Sequence, residues 1–152
     1  VTTAIEQIYS FFRDLLQKDV AQICQNYLPQ DDTYVFVEGP RYSTIGYTNI
    51  AKGWQDFCDS ILKLENIKWV EGPFTEESEH LAWVAGMVEL TVAVKGQVIQ
   101  RTFRATFVLQ KNEVGHWQIR HEHLSAPLND PYGIGDWWKY KVSLMLPSIS
   151  FN

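Results

Sequence analysis

Four neighbouring side chains near the end of the chain carry most of its acid–base potential: Arg120, His121, Glu122 and His123, within GHWQIRHEHLS (residues 115–125). A carboxylate set in an apolar strand is a candidate general acid or base, because desolvation raises its pKa toward neutrality. His121 and His123, at i and i+2, share one face of a strand, a spacing that can hold a metal. His80 and His116 fall at a loop and a turn and supply no third ligand, so no metal is expected. The histidines then read as hydrogen-bonding groups across the sheet or at an interface, with Arg104 and Thr106 as companions. Glu89 is the other carboxylate embedded in an apolar strand. The register implied by a Lys95-Gly96 turn sets it opposite Thr102, near Arg104, as a member of an ion pair on the sheet.

The elements that must position these groups can be read from periodicity. Thr3 and Glu6 have capping-box spacing, and Ile5, Ile8, Phe12 and Leu15 recur on one helical face. Asp19 and Gln22 restart a short second helix carrying Val20, Ile23 and Tyr27, ended by Pro29 and Asp31-Asp32. Thr33 to Glu38 reads as a short strand before Gly39-Pro40. A third helix is predicted from near Thr48, with Ile50, Trp54, Phe57, Ile61 and Leu64 on one side. Strands follow: Ile67 to Val70, stopping at Gly72-Pro73; Leu81 to Val94; Gln97 to Gln110; and His116 to Ala126. The long strands are apolar on both faces and need cover on both. Helices cover one face, and a second copy of the sheet is the natural cover for the other, which predicts a homodimer.

The chain has 152 residues, six Trp, seven Tyr and eight Phe among them, enough for one domain with a sizeable core. A net charge of −5 argues against a nucleic-acid partner, which would need concentrated Lys and Arg. No apolar run approaches the roughly 20 residues that span a bilayer, and no signal peptide is visible, so no membrane partner is expected. Cys24 and Cys58 read as buried free thiols of a reducing compartment, hence a cytoplasmic location. After Pro127 the chain becomes LNDPYGIGDWWKYKVSLMLPSISFN. Its aromatic and aliphatic residues are too apolar to leave in water, so the tail is expected to pack on the domain or on the dimer partner.

The order helix, helix, strand, helix and then long antiparallel strands is that of the cone-shaped α+β fold of nuclear transport factor 2 (the NTF2-like fold). The pattern G-x-W-x-I-x-H-x-H-x-S in GHWQIRHEHLS resembles the last strand of SnoaL-like and ketosteroid-isomerase-like proteins. Arg104-x-Thr106-x-Val108 resembles their penultimate strand, and GPRYSTIGYTNIAKGW (residues 39–54) their turn into the third helix. The likeness covers about residues 3–127 and implies a domain over 1–127 followed by a tail over 128–152. The association domain of calcium/calmodulin-dependent kinase shares a similar last strand, so the pattern marks the fold more than an activity. The resemblance implies a curved, mostly antiparallel sheet around a pocket closed by about three helices. Superfamily members include isomerases, cyclases, dehydratases and an epoxide hydrolase. The isomerase likeness has a gap: Tyr9 could stand near the first-helix Tyr, but no pair of strand aspartates completes that site.

Simple alternation places Trp117, Ile119, His121 and His123 on one face of the last strand and Gln118, Arg120, Glu122 and Leu124 on the other. Parity alone leaves open which face is inward. The apolar series Phe103, Ala105, Phe107 and Leu109 suits a pocket wall. Epoxide-hydrolase-like members of the superfamily place a pocket carboxylate where Glu122 stands. Glu122 is therefore the expected general acid or base, with Tyr9, Trp54, Phe57, Phe103, Phe107, Arg120 and Leu124 around a small apolar or aromatic molecule, and no cofactor. The opposite orientation would bring Arg104, His121 and His123 to the pocket. The alternative functions are a non-catalytic ligand binder and an oligomerisation or interaction module.

Overall fold

The computed structural model describes residues 2–136, folded as three helices against one six-stranded sheet, an α+β arrangement. Helix α1 (Ala4–Gln17) starts at a full capping box, in which Thr3 Oγ1 accepts from the Glu6 amide and Glu6 accepts from the Thr3 amide. It buries Ala4, Ile8, Phe11, Phe12 and Leu15 along one stripe. Lys18 ends the helix in the left-handed region, φ 56°, and its Nζ donates to the carbonyls of Ser60 and Leu62 at 2.9 and 2.7 Å. Asp19 Oδ1 caps α2 (Val20–Cys24) through the amides of Ala21 and Gln22. Helix α3 spans Tyr47–Asp59.

The strands are β1 (Tyr34–Phe36), β2 (Thr44–Ile45), β3 (Lys63–Glu77), β4 (Leu81–Val94), β5 (Gln97–Lys111) and β6 (Trp117–Ser125), in the order β2-β1-β6-β5-β4-β3. All neighbours are antiparallel except β1 and β6. The β4–β5 turn has positive φ at both Lys95 (50°) and Gly96 (78°), the geometry that matches strand twist in a two-residue hairpin. That turn sets Glu89 opposite Thr102, as its sequence implied.

Two elements differ from expectation. Strand β3 does not stop at Gly72-Pro73 but runs through it, with register shifts between Trp69 and Glu71 and between Glu71 and Phe74. Gly72 and Pro73 fall in the second of these shifts, where neither pairs with β4, so the missing proline N–H breaks no ladder bond. Helix α3 ends at Asp59, so Ile61 is exposed in the connection and Leu64 belongs to β3. Strand β2, only two residues long, left no periodic trace.

The core fills the space between α1 and the inner sheet face, where Ala82, Val84, Val88 and Leu90 of β4 meet Ala105, Phe107 and Leu109 of β5. The other face is open: Trp83 is 38% and Tyr34 37% exposed. The expected packing of the tail lies, from residue 137 onward, outside the described residues; Leu128, Tyr132 and Ile134 within its first part are exposed.

Candidate functional site

Strand β6 does not alternate simply. Leu109 pairs with Ile119 but Val108 pairs with His121, leaving Arg120 as an extra residue opposite no partner. This is a β-bulge, and it reverses the facing pattern of the strand beyond it. Trp117 and Ile119 are buried before the bulge, and Glu122 is buried after it, so inward residues change from odd to even. The bulge sits where Tyr27 bridges to Ile119 and where the backbones of Asn26, Leu28 and Ile119 exchange hydrogen bonds of 2.7 and 2.9 Å.

Glu122 consequently lies on the inner face, 3% exposed, between Phe107 of β5 and Val35 of β1. Its Oε1 accepts a short hydrogen bond from the hydroxyl of Tyr27, itself 1% exposed. Trp54 Nε1 of α3 donates to that hydroxyl oxygen at 3.0 Å. The three side chains form a one-directional relay, Trp54 to Tyr27 to Glu122. Phe11 packs edge-on against both Tyr27 and Trp54, and Phe107 stands beside it. Burial among these rings pushes the Glu122 carboxyl up to about 8, against an ordinary 4.5; the Tyr27 hydrogen bond pulls the other way and the negative charge of Glu38 adds to the rise. The Tyr27 hydroxyl is raised well above its usual range, first by burial and then by Glu122, so it stays a donor. Glu38 is exposed as a residue, yet desolvation of its carboxyl also raises its pKa.

Arg120 does not share the face of Glu122. The bulge turns it outward, where it pairs with Asp32 at 3.0 Å and also donates to the Asp32 carbonyl. Its expected place beside Glu122 is corrected on that ground. Tyr9 is also misplaced by the sequence reading. It is 44% exposed on α1, off the stripe formed by Ile8, Phe11 and Phe12. Trp54, Phe57, Phe103 and Leu124 are half-buried, and Phe107 is wholly buried.

His121 and His123 are on the outer face. His121 Nδ1 lies 2.6 Å from the Tyr34 carbonyl, and its ring stacks on Tyr34 while Phe36 contacts both imidazoles. Arg104 on the same face donates to the Ala126 carbonyl. Glu89 pairs with Lys68 of β3 at 3.6 Å, and not with Arg104. Cys24 and Cys58 are free thiols whose pKa values are raised by burial, which works against nucleophilic activation. Among the described residues, open clefts include two that Glu122 does not line. One, of about 540 Å³, is polar and includes Gln7, Asp14, Asn26, His116 and Gln118. The other, of about 660 Å³, lies at the sheet edge between Asp32, Tyr34, Ile45, Arg120 and His121.

Tyr27, Glu38 and the bulge were missed by the sequence reading. Tyr27 scored only as an apolar residue of the second helix; its position four residues after Ile23 pointed inward but said nothing of its hydroxyl. No helix among the described residues is long and apolar enough to cross a membrane.

Among solved structures, the chain is similar to a nuclear transport factor 2 (NTF2-like) superfamily protein from Salmonella enterica, with 21% identity over 86% of this chain and 93% of that one and a TM-score of 0.73. It is similar to a ketosteroid isomerase-like protein from Erwinia carotovora, with 16% identity, 81% and 94% coverage and a TM-score of 0.66. A putative calcium/calmodulin dependent protein kinase II association domain from Xanthomonas campestris matches with 19% identity, 81% and 85% coverage and a TM-score of 0.64. At these identities the likeness is one of fold. No curated protein matches the chain. The SnoaL-like domain family matches residues 1–129, and with that match and the helix–strand order in agreement, the chain belongs to the SnoaL-like family of the NTF2-like fold.

Proposed function

We propose that this chain binds a small, largely apolar molecule against the inner face of its sheet and moves a proton on it with Glu122, without a cofactor. The reaction class is that of an isomerase, cyclase, dehydratase or hydrolase. One observation carries the reading: a carboxyl buried among aromatic rings, its Oε1 already accepting from Tyr27 and its pKa near 8. Oε2 is then the oxygen that carries the proton at neutral pH. As a general acid, Glu122 gives that proton to a ligand oxygen, and the Tyr27 hydroxyl, oriented by Trp54, steadies the carboxylate left behind. Half-buried Trp54, Phe57, Phe103 and Leu124, with Phe107, supply the apolar wall.

In a screen of cofactor-free isomerisation, dehydration and epoxide-hydrolysis substrates, Glu122→Gln is expected to lower turnover at least about 100-fold. Activity that depends on the acid form should decline above about pH 8. Full turnover by Glu122→Gln would remove the residue from the chemistry, and binding without turnover by the wild type would leave a ligand carrier.

A second reading concerns assembly. Trp83, Val108, His121 and Tyr34 form one row across four strands of the outer face, and Ala85, Thr106, His123 and Phe36 form the next. An open aromatic surface of this kind supports a homodimer with the two sheets face to face, the histidines at the interface. Sedimentation equilibrium at micromolar concentration is expected to give twice the chain mass of 17.6 kDa, and Val108→Lys to give the single-chain mass. A wild-type monomer would contradict the assembly. The two free thiols favour a cytoplasmic setting.

A further inference from the structure

The geometry points to the indole N–H of Trp69 as a second ligand anchor, a donor held for an acceptor oxygen on an otherwise apolar molecule bound at the inner face. This rests on the reading of that face as a ligand site and adds the chemistry the ligand must carry. Trp69 stands on β3 opposite Val88. Its ring leans across Gly86, where a built Cβ would come within 3.0 Å of Cε3 and Cζ3. It lies 5.6 Å from the ring of Phe12 and 6.3 Å from that of Phe107, centroid to centroid. Phe107 is the direct cross-strand partner of Glu122. The indole and the carboxyl are therefore both neighbours of one aromatic ring, Phe107.

Nε1 of Trp69 is shut off from solvent and has no hydrogen-bond partner. Among the described residues the other buried polar side chains are bonded: Asn26 to Gln7 and Asp14, Thr33 to the Leu28 carbonyl, Glu122 to Tyr27. A buried tryptophan N–H ordinarily finds an acceptor, and an orphaned one destabilises the fold. Phenylalanine would fill much of the same space without that cost. The residue as a whole is half-buried, so the indole meets solvent at other atoms, and a ligand acceptor reaches Nε1 as the side chains around it part. Its acceptor would complete the N–H.

The pair α-tetralone and tetralin tests this, since they share a shape and differ in one carbonyl. Calorimetric titration of the full chain is expected to show tetralone binding at least roughly tenfold tighter than tetralin. Trp69→Phe should bring the two to equal affinity, leave tetralin binding unchanged, and leave the unliganded melting temperature equal or higher. The Trp69 Nε1–H proton resonance, assigned by its loss in Trp69→Phe, should move downfield with tetralone and not with tetralin. A Trp69→Phe protein that keeps the wild-type preference, or a wild type that shows none or binds neither compound, overturns the inference. If the preference survives Trp69→Phe and falls only in Glu122→Gln, the acceptor belongs to Glu122 and this anchor fails while the acid–base reading stands. Loss of the preference in Trp69→Phe, with turnover intact in Glu122→Gln, supports the anchor and removes the acid–base role alone.

Discussion

Between about pH 5 and 8 the wild-type protein is expected to lose stability that Glu122→Gln retains. The unfolded carboxyl titrates near 4.5 and the folded one near 8. Between those values the folded state keeps a proton that the unfolded state has released, so unfolding becomes easier as pH rises. The slope approaches 1.4 kcal/mol per pH unit, about 5 kcal/mol across the window at most. Below 4.5 both states are protonated, and above about 8 both are ionised, so the effect is flat at either end. This sign is opposite to that of a salt-bridged carboxylate, whose stabilisation grows with pH. Glutamine cannot ionise, and Glu38, whose own shift has the same direction, is common to both proteins. Urea denaturation at several pH values checks this; parallel curves for the two proteins would show that burial of Glu122 does not hold its proton.

The second large effect is steric. Gly86 faces inward between Val84 and Val88, and a Cβ there would stand 2.2 Å from the backbone carbonyl oxygen of Glu71 as well as 3.0 Å from the Trp69 ring. Backbone cannot move aside as a side-chain tip can, so Gly86→Ala should cost about 3 kcal/mol or more and lower the melting temperature by roughly 6 °C or more. The same change at Gly53, inside α3, meets only the flexible end of Arg41 at 3.2 Å and should leave the fold as stable or up to about 1 kcal/mol more stable. Paired thermal melts decide it. Equal melting temperatures for the two variants would mean that β3 does not press on β4 at its irregular segment.

The inward face of β5 was legible from the period-two series Phe103, Ala105, Phe107 and Leu109, and β4 was legible as a long apolar run closed by a turn. Capping groups at Thr3 and Asp19 and the Lys95-Gly96 turn were legible because local chemistry specifies them. The assignment of β6 was only half legible. Its sequence alternates so regularly that Trp117, Ile119, His121 and His123 look like one face, yet an extra residue at Arg120 separates the first two from the last two. A bulge of this kind is set by what the partner strand and the Asn26–Leu28 backbone require, and Arg120 carries no local sign of it. The companions of Glu122 were hidden for a related reason: Tyr27, 95 residues away, becomes a partner only once its segment bridges to Ile119. Tyr9 misled because resemblance suggested a tyrosine on the first helix, while the helical stripe left it in solvent.

The bulge delivers Glu122 to the interior as a carboxyl that holds its proton near neutrality. Following the side-chain carboxyl carbon of Glu122 by carbon-13 NMR through a pH titration, assigned against Glu122→Gln, tests it most directly. A midpoint close to 8 is expected. A midpoint near 4.5, the value of an ordinary exposed glutamate, would contradict it.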